Sequence, residues 1–324
     1  MAPTVICLGE ALIDRIFDRY DGAHPDLPFW VDYPGGAPAN VAAALAKLGT
    51  PVGFIGCLGK DAQGDSLVSV LTQAGVDCGG VQRSVLAPTR LVLVRRDARG
   101  ERSFVGFSQP DPAQFADAFL NPDYLSPAWF TTADYLVMGT LGLAYPPVQQ
   151  SMHRALAWAQ EYAVTTVVDL NWRPGFWPQP ELAPGLVREF LSQVDILKLN
   201  QAEAQWLFQT VVAEDIRQLL PQAKIVLVTA GEAGCDYATS SVQGHVAAFT
   251  VDCEDTTGAG DSFLAGFVHQ LCAYGLTLLE QPGLLKAAVQ YASATGALTT
   301  THPGAMAAQP NARAVEAFLY LHQQ

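Results

Sequence analysis

The most informative stretch of this sequence is Asp255-Thr256-Thr257-Gly258-Ala259-Gly260-Asp261-Ser262-Phe263. An apolar run with helical spacing follows it at once, so a glycine-rich turn opens a helix. The first N–H groups of a helix lack partners within it and lie at the positive end of its dipole, which favours an anion. Small residues at Gly258, Ala259 and Gly260 let a phosphate approach the main chain. Asp261 falls in the first helical turn, either as a helix-start residue or as a base for an attacking hydroxyl.

Outward from this turn, short β-branched runs alternate with longer helical patterns. This alternation predicts a parallel sheet covered by helices on both faces. The predicted strands are Thr4–Leu8, Val52–Ile55, Tyr135–Met138, Thr166–Asp169, Ile196–Leu199 and Ile225–Thr229. The predicted helices are Ala39–Leu48, Met152–Tyr162, Ser262–Ala273, Ala287–Thr299 and Ala312–Leu321. We expect one α/β domain over residues 1–324.

Two segments interrupt the alternation. Residues 16–33 are polar, aromatic and proline-containing, and residues 90–107 read as two strands around the turn 97–100, a pattern typical of a hairpin. We expect these segments to form a small sheet that stands off the main one. The second segment carries a cluster of arginines, which either forms a solvated strand edge or attracts an anionic ligand. These arginines are Arg90, Arg95, Arg96, Arg99 and Arg102.

The composition narrows the class of protein. Half of the 324 residues are hydrophobic and 15% are charged, which excludes a disordered chain. The formal charge of −13 has the wrong sign for neutralising nucleic-acid phosphates. No apolar run approaches the ~20 residues that span a bilayer, the start lacks the basic region of a signal peptide, and the cysteines form no C-x-x-C pair. We therefore expect a cytoplasmic protein with reduced thiols, without nucleic-acid or membrane partners.

Residues 255–263 resemble the second signature of the ribokinase-like (PfkB) carbohydrate kinases, and Gly35-Gly36-Ala37-Pro38-Ala39-Asn40-Val41-Ala42 resembles their first. Intermediate landmarks agree in order, and they are residues 59–65 (GKDAQGD), 169–173 (DLNWR), 200–203 (NQAE) and 229–231 (TAG). The similarity covers essentially the whole chain. It implies a ribokinase-like three-layer α/β sandwich with a mostly parallel central sheet, helices on both faces, and a small β lid from segments near 12–34 and 88–108.

The resemblance implies an ATP-dependent kinase that phosphorylates a sugar hydroxyl. By similarity, Asp261 is the general base, and residues 258–260 form an anion hole around the transferred phosphoryl group. Asn200 and Glu203 match an N-x-x-E element that helps to hold Mg²⁺ and phosphates, with Glu203 acting through water. The same pair is also typical of a helix-capping box with no further function.

The resemblance also assigns the binding residues. The expected nucleotide contacts are Thr229, Gly231 and Gly234, and the expected sugar contacts are Asp14, Gly35, Gly36, Asn40, Arg102 and Arg173. Asn40 is alternatively an N-cap, and Arg173 alternatively stacks on a surface aromatic. A K⁺ ion is a further expectation, beside the anion hole at Asp255, Thr257 and the loop 301–305.

The identity of the sugar rests on finer features. The form Gly-Gly-Ala-Pro-Ala-Asn of the first motif, the stretch 171–177 and Glu101-Arg102-Ser103-Phe104 most resemble fructokinases. This resemblance implies that ATP and D-fructose give fructose 6-phosphate and ADP. The leading competitor is 2-keto-3-deoxygluconate, whose carboxylate would pair with Arg173 and with Arg90 or Arg102. The motifs also fit a different sugar or nucleoside kinase of this family, or a non-catalytic sugar- or nucleotide-binding protein on the same fold.

The resemblance gives the two interrupting segments a role as well. A lid over the sugar would exclude water, which competes with the sugar as phosphoryl acceptor. The apolar residues Phe29, Trp30 and Leu93 either line the sugar pocket or pair two copies of the chain in a homodimer.

Overall fold

Strands and helices alternate along most of the chain, as the sequence predicts. The computed structural model describes residues 2–18, 29–96 and 102–322, apart from the side chains of residues 18, 29, 96, 102 and 103. The strands are β1 (Val5–Leu8), β2 (Leu12–Asp18), β3 (Phe29–Gly35), β4 (Val52–Gly59), β5 (Asp77–Ser84), β6 (Leu91–Arg96), β7 (Arg102–Phe107), β8 (Tyr135–Gly139), β9 (Thr165–Asp169), β10 (Ile196–Asn200), β11 (Ile225–Thr229), β12 (Cys235–Thr239) and β13 (Gln243–Val246). The helices are α1 (Ala37–Lys47), α2 (Ala62–Ala74), α3 (Pro146–Glu161), α4 (Ala183–Leu191), α5 (Gln201–Phe208), α6 (Ala213–Leu219), α7 (Ala259–Tyr274), α8 (Pro282–Thr299), α9 (Ala305–Ala308) and α10 (Ala312–Leu321).

The main sheet has nine strands in the order β13-β12-β11-β10-β9-β8-β1-β4-β5. β1 pairs in parallel with β4 and β8, and parallel pairing continues outward to β5 on one side and β11 on the other. β12 and β13 add an antiparallel edge. The central strands are mostly apolar and buried because both faces of the sheet are covered. The predicted α/β class with a mostly parallel sheet is confirmed.

β1 shows how the sheet contributes to two cores. Successive side chains of a strand point to opposite faces, so Ile6 and Leu8 join one buried cluster while Val5 and Cys7 join the other. All four side chains are fully buried. Truncating one of them, as in Leu8→Ala, would cost about 2–5 kcal/mol of the free energy of unfolding. The buried sheet therefore holds the carboxyl end of β1 in a fixed position.

A second sheet of four strands, in the order β3-β2-β6-β7, is built from the two segments that interrupt the alternation. β2 is antiparallel to β3 and parallel to β6, and β6 and β7 form the predicted antiparallel hairpin. Arg15 on β2 pairs across the sheet with Asp32 on β3, at 2.6 Å between Nε and Oδ1. The predicted turn 97–100, with Arg99, lies outside the described residues, as do residues 19–28 between β2 and β3.

The boundaries of some elements differ from the prediction. α1 begins at Ala37, because Gly36 caps it with φ 100° and Pro38 suits a first helical turn. Asn40 therefore lies inside the helix, and its alternative interpretation as an N-cap is wrong. The sequence pattern also missed three strands at or next to the edges of the main sheet, which are β5, β12 and β13. β5 has polar residues and glycines in place of an apolar run.

All six cysteines are free thiols. Within the three described ranges, no helix combines the length and the apolar character that crossing a membrane requires.

Candidate active site

A cavity of about 660 Å³ lies between the carboxyl ends of β1, β9, β10 and β11, the start of α7, and the small sheet. Open parallel sheets bind ligands at the carboxyl ends of their strands. The predicted site residues that line the cavity are Asp14, Gly36, Asn40, Arg173, Asn200, Glu203, Thr229, Thr257, Gly258, Gly260 and Asp261. One cavity therefore brings together most of the site that the sequence predicts.

The glycine turn before α7 allows a close approach to the main chain. Gly258 has φ 77° and is the N-cap of α7, and no described side chain caps this end. The first N–H groups of the helix therefore lack side-chain partners. A Cβ on Gly258 would lie 2.7 Å from Cβ of Ala305, and one on Gly260 would lie 2.9 Å from Nζ of Lys198. Gly258 and Gly260 thus offer unobstructed backbone next to the Lys198 ammonium. Ala259, the third residue of the predicted anion hole, is not among the lining residues, and its N–H donates to the carbonyl of Thr256 over 3.3 Å.

Asp261 lies in the first turn of α7, as the sequence predicts. Its Oδ2 accepts a hydrogen bond from Nδ2 of Asn40, on α1, over 2.8 Å. Burial and the negative charge of Asp169 raise the pKa of Asp261 to about 6. The Asn40 hydrogen bond and the charge of Lys198 act against this rise. A carboxylate with this pKa is ionised at neutral pH and is a stronger base than an ordinary aspartate.

Lys198 is a site residue that the sequence analysis did not single out. It lies on β10 between apolar neighbours, and its Nζ donates to Oδ2 of Asp169, at the end of β9, over 2.7 Å. Both side chains are buried. Burial alone would lower the pKa of Lys198, but the charges of Asp169 and Glu203 outweigh it and raise the pKa. A lysine inside an apolar strand is the sequence signal that would have found this pair, since buried charges are seldom without partners.

Asn200 and Glu203 form the predicted capping box at the start of α5. The side chain of each accepts a hydrogen bond from the backbone N–H of the other, at 2.9 Å in both directions. The second carboxylate oxygen of Glu203 accepts from the N–H of Trp172 over 2.8 Å. Burial and the charge of Asp169 raise the pKa of Glu203.

This geometry limits how Glu203 can serve a metal ion. Each of its oxygens already accepts one backbone hydrogen bond and keeps only part of its capacity. Among residues 2–18, 29–96 and 102–322 there is no group of three or more His, Cys, Asp or Glu side chains able to hold a metal. The arrangement fits Mg²⁺ that keeps most of its waters and binds mainly to phosphate oxygens, and it does not fit a cage made of protein ligands.

Asp255 connects the glycine turn to the loop after α8. Its Oδ1 accepts from the N–H and the hydroxyl of Thr257, at 3.1 and 2.7 Å. Its Oδ2 accepts from the N–H of Gly304 over 2.8 Å. The structure therefore brings the residues of the expected K⁺ site together, while the Asp255 carboxylate itself holds the backbone of that region.

The end of the cavity next to the small sheet carries a second acid that the sequence analysis did not single out. Glu10 follows β1 and lines the cavity, and its Oε1 accepts from the N–H of Ala37 over 3.2 Å. Burial raises the pKa of Glu10 to about 8, and the charges of Asp117 and Asp261 add to the rise. Glu10 is therefore mostly a neutral carboxylic acid at pH 7, able to donate a hydrogen bond. An acid directly after an apolar strand run is the signal in the sequence.

Four predicted sugar contacts, on β2 and in the first motif, lie at the same end of the molecule as Glu10. Asp14 on β2 lines the cavity, and a Cβ on Gly35 would lie 2.7 Å from its Oδ2. A Cβ on Gly36 would lie 2.6 Å from the carbonyl oxygen of Glu10, so this glycine lets α1 begin against the end of β1. Oδ1 of Asn40 is buried and has no hydrogen-bond partner among the described residues.

Of the three predicted nucleotide contacts, one lines the cavity and two do not. Thr229 ends β11 and lines the cavity. Gly231 and Gly234 lie in the turn between β11 and β12, with φ 57° and 100°, and they are not among the residues that line the cavity. Their role in nucleotide binding stays a prediction.

The structure corrects the interpretation of Arg90. Its side chain is fully buried and paired with Asp117, so it is neither a solvated strand edge nor a partner for a ligand carboxylate. Arg173 lines the cavity with a half-exposed side chain, whose Nη1 lies 3.9 Å from Oε1 of Glu203. The side chain of Arg102 lies outside the described part of the structure, so its predicted sugar contact stays a prediction.

An apolar wall completes the cavity below the small sheet. Val92 and Val94 on β6, Phe104 on β7 and Phe176 all line the cavity. The ring centroids of Phe104 and Phe176 are 6.4 Å apart. The sequence pattern predicts that both valines and Phe104 lie in the small sheet. It assigns neither these residues nor Phe176 to the site.

Comparison with known proteins agrees with this geometry. The family model described as pfkB family carbohydrate kinase matches residues 2–312. The chain is 34% identical over 323 residues to a probable fructokinase-3 of Arabidopsis thaliana, covering 99% of this chain and 92% of that protein.

Two solved structures are similar over almost their full length. A fructokinase of Xylella fastidiosa with bound ATP superposes with a TM-score of 0.91 at 29% identity, with 100% of both chains covered. A double mutant of the Vibrio cholerae O395 fructokinase, with fructose, ADP and potassium bound, superposes with a TM-score of 0.86 at 31% identity, with 98% of both chains covered.

Proposed function

Because the chain belongs to the pfkB family of carbohydrate kinases, we propose that it transfers the γ-phosphoryl group of ATP to a hydroxyl of D-fructose, giving fructose 6-phosphate and ADP. The observation that carries this proposal is the position of Asp261, one residue after a bare glycine turn and beside an amide, in a cavity at the strand ends. The similarity to fructokinases of plants and bacteria supports fructose as the acceptor.

The phosphoryl group would be met by fixed positive dipoles and charge. The backbone of Gly258 and Gly260 lines the cavity at the start of α7, and Gly260 lies beside the Lys198 ammonium. Donors that are already oriented stabilise charge that develops in the transition state, and removing one typically costs about 3 kcal/mol. Asp169 holds the Lys198 ammonium in place, so little reorganisation is needed during the reaction.

Asp261 would take the proton of the attacking sugar hydroxyl. Its Oδ2 is held by Asn40, which leaves Oδ1 for the substrate. The pKa near 6 keeps the group ionised at neutral pH, so it is ready to act as a base. Proton transfer of this kind contributes about 10²–10⁴-fold to a rate.

Two ions belong to the proposal. Asn200 and Glu203 would hold Mg²⁺ through water, and a bound Mg²⁺ supplies positive charge that neutralises the phosphate oxygens. K⁺ would bind by backbone carbonyls near Asp255, Thr257 and residues 301–305. The contact between Asp255 and Gly304 supports this location, because it brings the two segments together.

The polar end of the cavity suits a neutral sugar. Glu10, Asp14 and Asn40 offer donors and acceptors for several hydroxyls. A 2-keto-3-deoxygluconate carboxylate would need a cation here, and Arg90 is already paired with Asp117. Among the side chains that the structure describes, the arginine that lines the cavity is Arg173. A clamp made of two arginines would therefore also need Arg102. Fructose remains the preferred acceptor on these grounds.

The small sheet would act as the lid. Leu12, Val92 and Phe104 already line the cavity from that side, which supports exclusion of water around the reacting groups. The homodimer stays a prediction, supported by the exposure of Trp30, Phe104 and Val105 on the small sheet; Leu93 is partly buried, and the side chain of Phe29 lies outside the described residues. Cytoplasmic location also stays a prediction.

A panel of acceptors tests the proposed function. ADP release should be measured with fructose, 2-keto-3-deoxygluconate, ribose and adenosine at fixed ATP and Mg²⁺. We expect fructose to give the highest kcat/KM. A tenfold advantage for another acceptor would reject fructose but keep the kinase, while no release with any acceptor would favour a binding protein.

A further inference from the structure

Arg90 is a fully buried cation at the point where the small sheet joins the body of the protein. It precedes β6 directly, and its backbone carbonyl accepts from the N–H of Ile13 on β2. Its guanidinium forms a two-point ion pair with Asp117, at 2.6 Å from Nε and 2.9 Å from Nη2. Nη2 also donates to the carbonyl of Pro112 and to the hydroxyl of Tyr145, at 2.9 and 3.2 Å.

Four aromatic rings surround this guanidinium. The distances from its central carbon to the ring centroids are 4.7 Å for Phe115, 5.1 Å for Phe176, 5.2 Å for Phe107 and 5.6 Å for Tyr145. Cations within ~6 Å of an aromatic face are attracted to it. Nη1 is buried and has no hydrogen-bond partner among the described residues, so the rings take the place of a polar partner there.

The rings belong to three different parts of the molecule. Phe107 ends β7 of the small sheet, Phe176 lies on the loop that carries Arg173, and Phe115 and Tyr145 belong to the body. Phe176 is fixed twice, because its ring packs edge-on against Phe107 at 4.8 Å and its carbonyl accepts from the Tyr145 hydroxyl at 2.5 Å. The guanidinium therefore sets the relative positions of the small sheet and the loop 171–177.

A buried ion pair is a poor way to gain stability. Replacing such a pair by apolar residues of similar size is often neutral or stabilising, because the cost of removing two charges from water is large. The position of Arg90 is better explained by geometry, since a planar fork with five donors fixes direction in a way that apolar packing does not. The element that it fixes is the wall formed by Phe104 and Phe176 at the sugar end of the cavity.

We propose that Arg90 is a positioning residue for the sugar site, which acts through Tyr145 and Phe176 to hold the aromatic wall below the small sheet. The proposal rests on the proposed function, since the wall matters only if the cavity end below the small sheet binds the acceptor. The proposal predicts different effects on the two substrates. The guanidinium reaches the cavity through Phe176, on the side of the small sheet, and its described partners include neither Thr229 nor the glycine turn. Arg90 would thus control the affinity for the acceptor without touching either substrate.

The test compares Arg90→Lys, Tyr145→Phe and the double variant with the wild type. Arg90→Lys keeps the charge and loses the fork, while Tyr145→Phe removes one hydroxyl and leaves the ring. Arg154→Lys is the matched control, because Arg154 pairs with Asp123 at the surface. We expect the fructose KM to rise about tenfold in Arg90→Lys and less in Tyr145→Phe, since misplacing a site by about 1 Å can cost 10²-fold. The ATP KM should stay within about twofold.

Two further results complete the test. In the double variant, the fold-increase in fructose KM should be smaller than the product of the two single-variant increases, because both substitutions break one connected network. Hydrogen exchange should increase in residues 171–177 of Arg90→Lys relative to Arg154→Lys. Should Arg90→Lys not fold, Tyr145→Phe carries the same comparison.

The failures can be told apart. If the wild type phosphorylates no acceptor, the proposed function fails, and hydrogen exchange alone then decides whether Arg90 orders the loop. If the wild type is active but both KM values rise equally, or only the melting temperature falls, Arg90 is merely structural and this inference is overturned.

Discussion

Asn40 and Asp261 are 221 positions apart in the chain, and their side chains are joined by a hydrogen bond of 2.8 Å. Asn40 lies on α1, in the first sequence motif, and Asp261 lies on α7, in the second. The bond therefore joins the two motifs, and it ties the proposed proton acceptor to α1, which follows β3 of the small sheet. It also lowers the pKa of Asp261 against the effect of burial.

Replacing the base should separate binding from turnover. Asp261→Asn keeps the size of the side chain and one oxygen that can accept from Asn40, but it replaces the other oxygen by an NH₂ donor and removes the ability to take a proton. We expect kcat to fall by at least about 10²–10⁴-fold, while ATP binding measured by calorimetry changes little. An activity within tenfold of the wild type would contradict the assignment of Asp261 as the base.

The pH dependence of kcat/KM for fructose should rise through about pH 6, because the pKa of Asp261 is raised to about 6 and the base must be ionised. Asn40→Ala removes the hydrogen bond that lowers this pKa, so the rising limb should move to higher pH. Gln309→Ala is a suitable control, since Gln309 bonds to the backbone carbonyl of Asn40 and not to its side chain. An unmoved limb in Asn40→Ala would assign the titration to another group.

The falling limb of the same profile should belong to Glu10. Burial raises the pKa of Glu10 to about 8, so the group is neutral at pH 7 and becomes charged in alkaline solution beside Asp261. Glu10→Gln copies the neutral acid, and we expect it to keep activity near pH 7 and to extend it above pH 8. If the wild type and Glu10→Gln lose activity at the same alkaline pH, Glu10 does not control that limb.

The same pKa shift predicts a gain in stability for Asp261→Asn. Its pKa is 3.8 as a free side chain and about 6 in the fold, so the folded state binds more protons between these values. Stability that is present below about pH 4 is therefore lost as the pH rises through 6, and the Asn variant does not lose it. With about 1.4 kcal/mol for each pKa unit, and a discount because the side chain is partly exposed, we expect a gain of about 1–2 kcal/mol at pH 8.

Urea unfolding at two pH values measures this gain. The difference between Asp261→Asn and the wild type should be present at pH 8 and absent near pH 4. A difference of equal size at both pH values would mean that the effect comes from packing and not from ionisation.

The motifs made much of this site predictable, because glycine turns and capping pairs are local features. Gly258, the first turn of α7 and the Asn200–Glu203 box follow from neighbours in the sequence. Strands with continuous apolar runs were predictable for the same reason, whereas β5 at the sheet edge was not. Local pattern carries no information on which distant residues meet.

The residues that the sequence analysis missed or misjudged depend on such distant contacts. Lys198 becomes part of the site because β9 and β10 are neighbours in the sheet, which places Asp169 beside it. Arg90 lies in a sequence that reads as a polar strand edge, yet Asp117 and four aromatic rings bury it. A charge at such a position can be assigned only when its partner is known.

Lys198 and Asp169 give the sharpest test of what a buried ion pair does here. Lys198→Met removes the ammonium beside Gly260 and leaves Asp169 charged and buried, which should cost about 3–5 kcal/mol of the free energy of unfolding. Adding Asp169→Asn removes the unpaired charge, so the double variant should recover most of this stability. Activity should not recover with it, because the positive charge beside Gly260 in the proposed anion hole is still missing. Urea unfolding and kcat measured on the same three proteins would show this split, and a double variant that regains turnover together with stability would make Lys198 a structural residue.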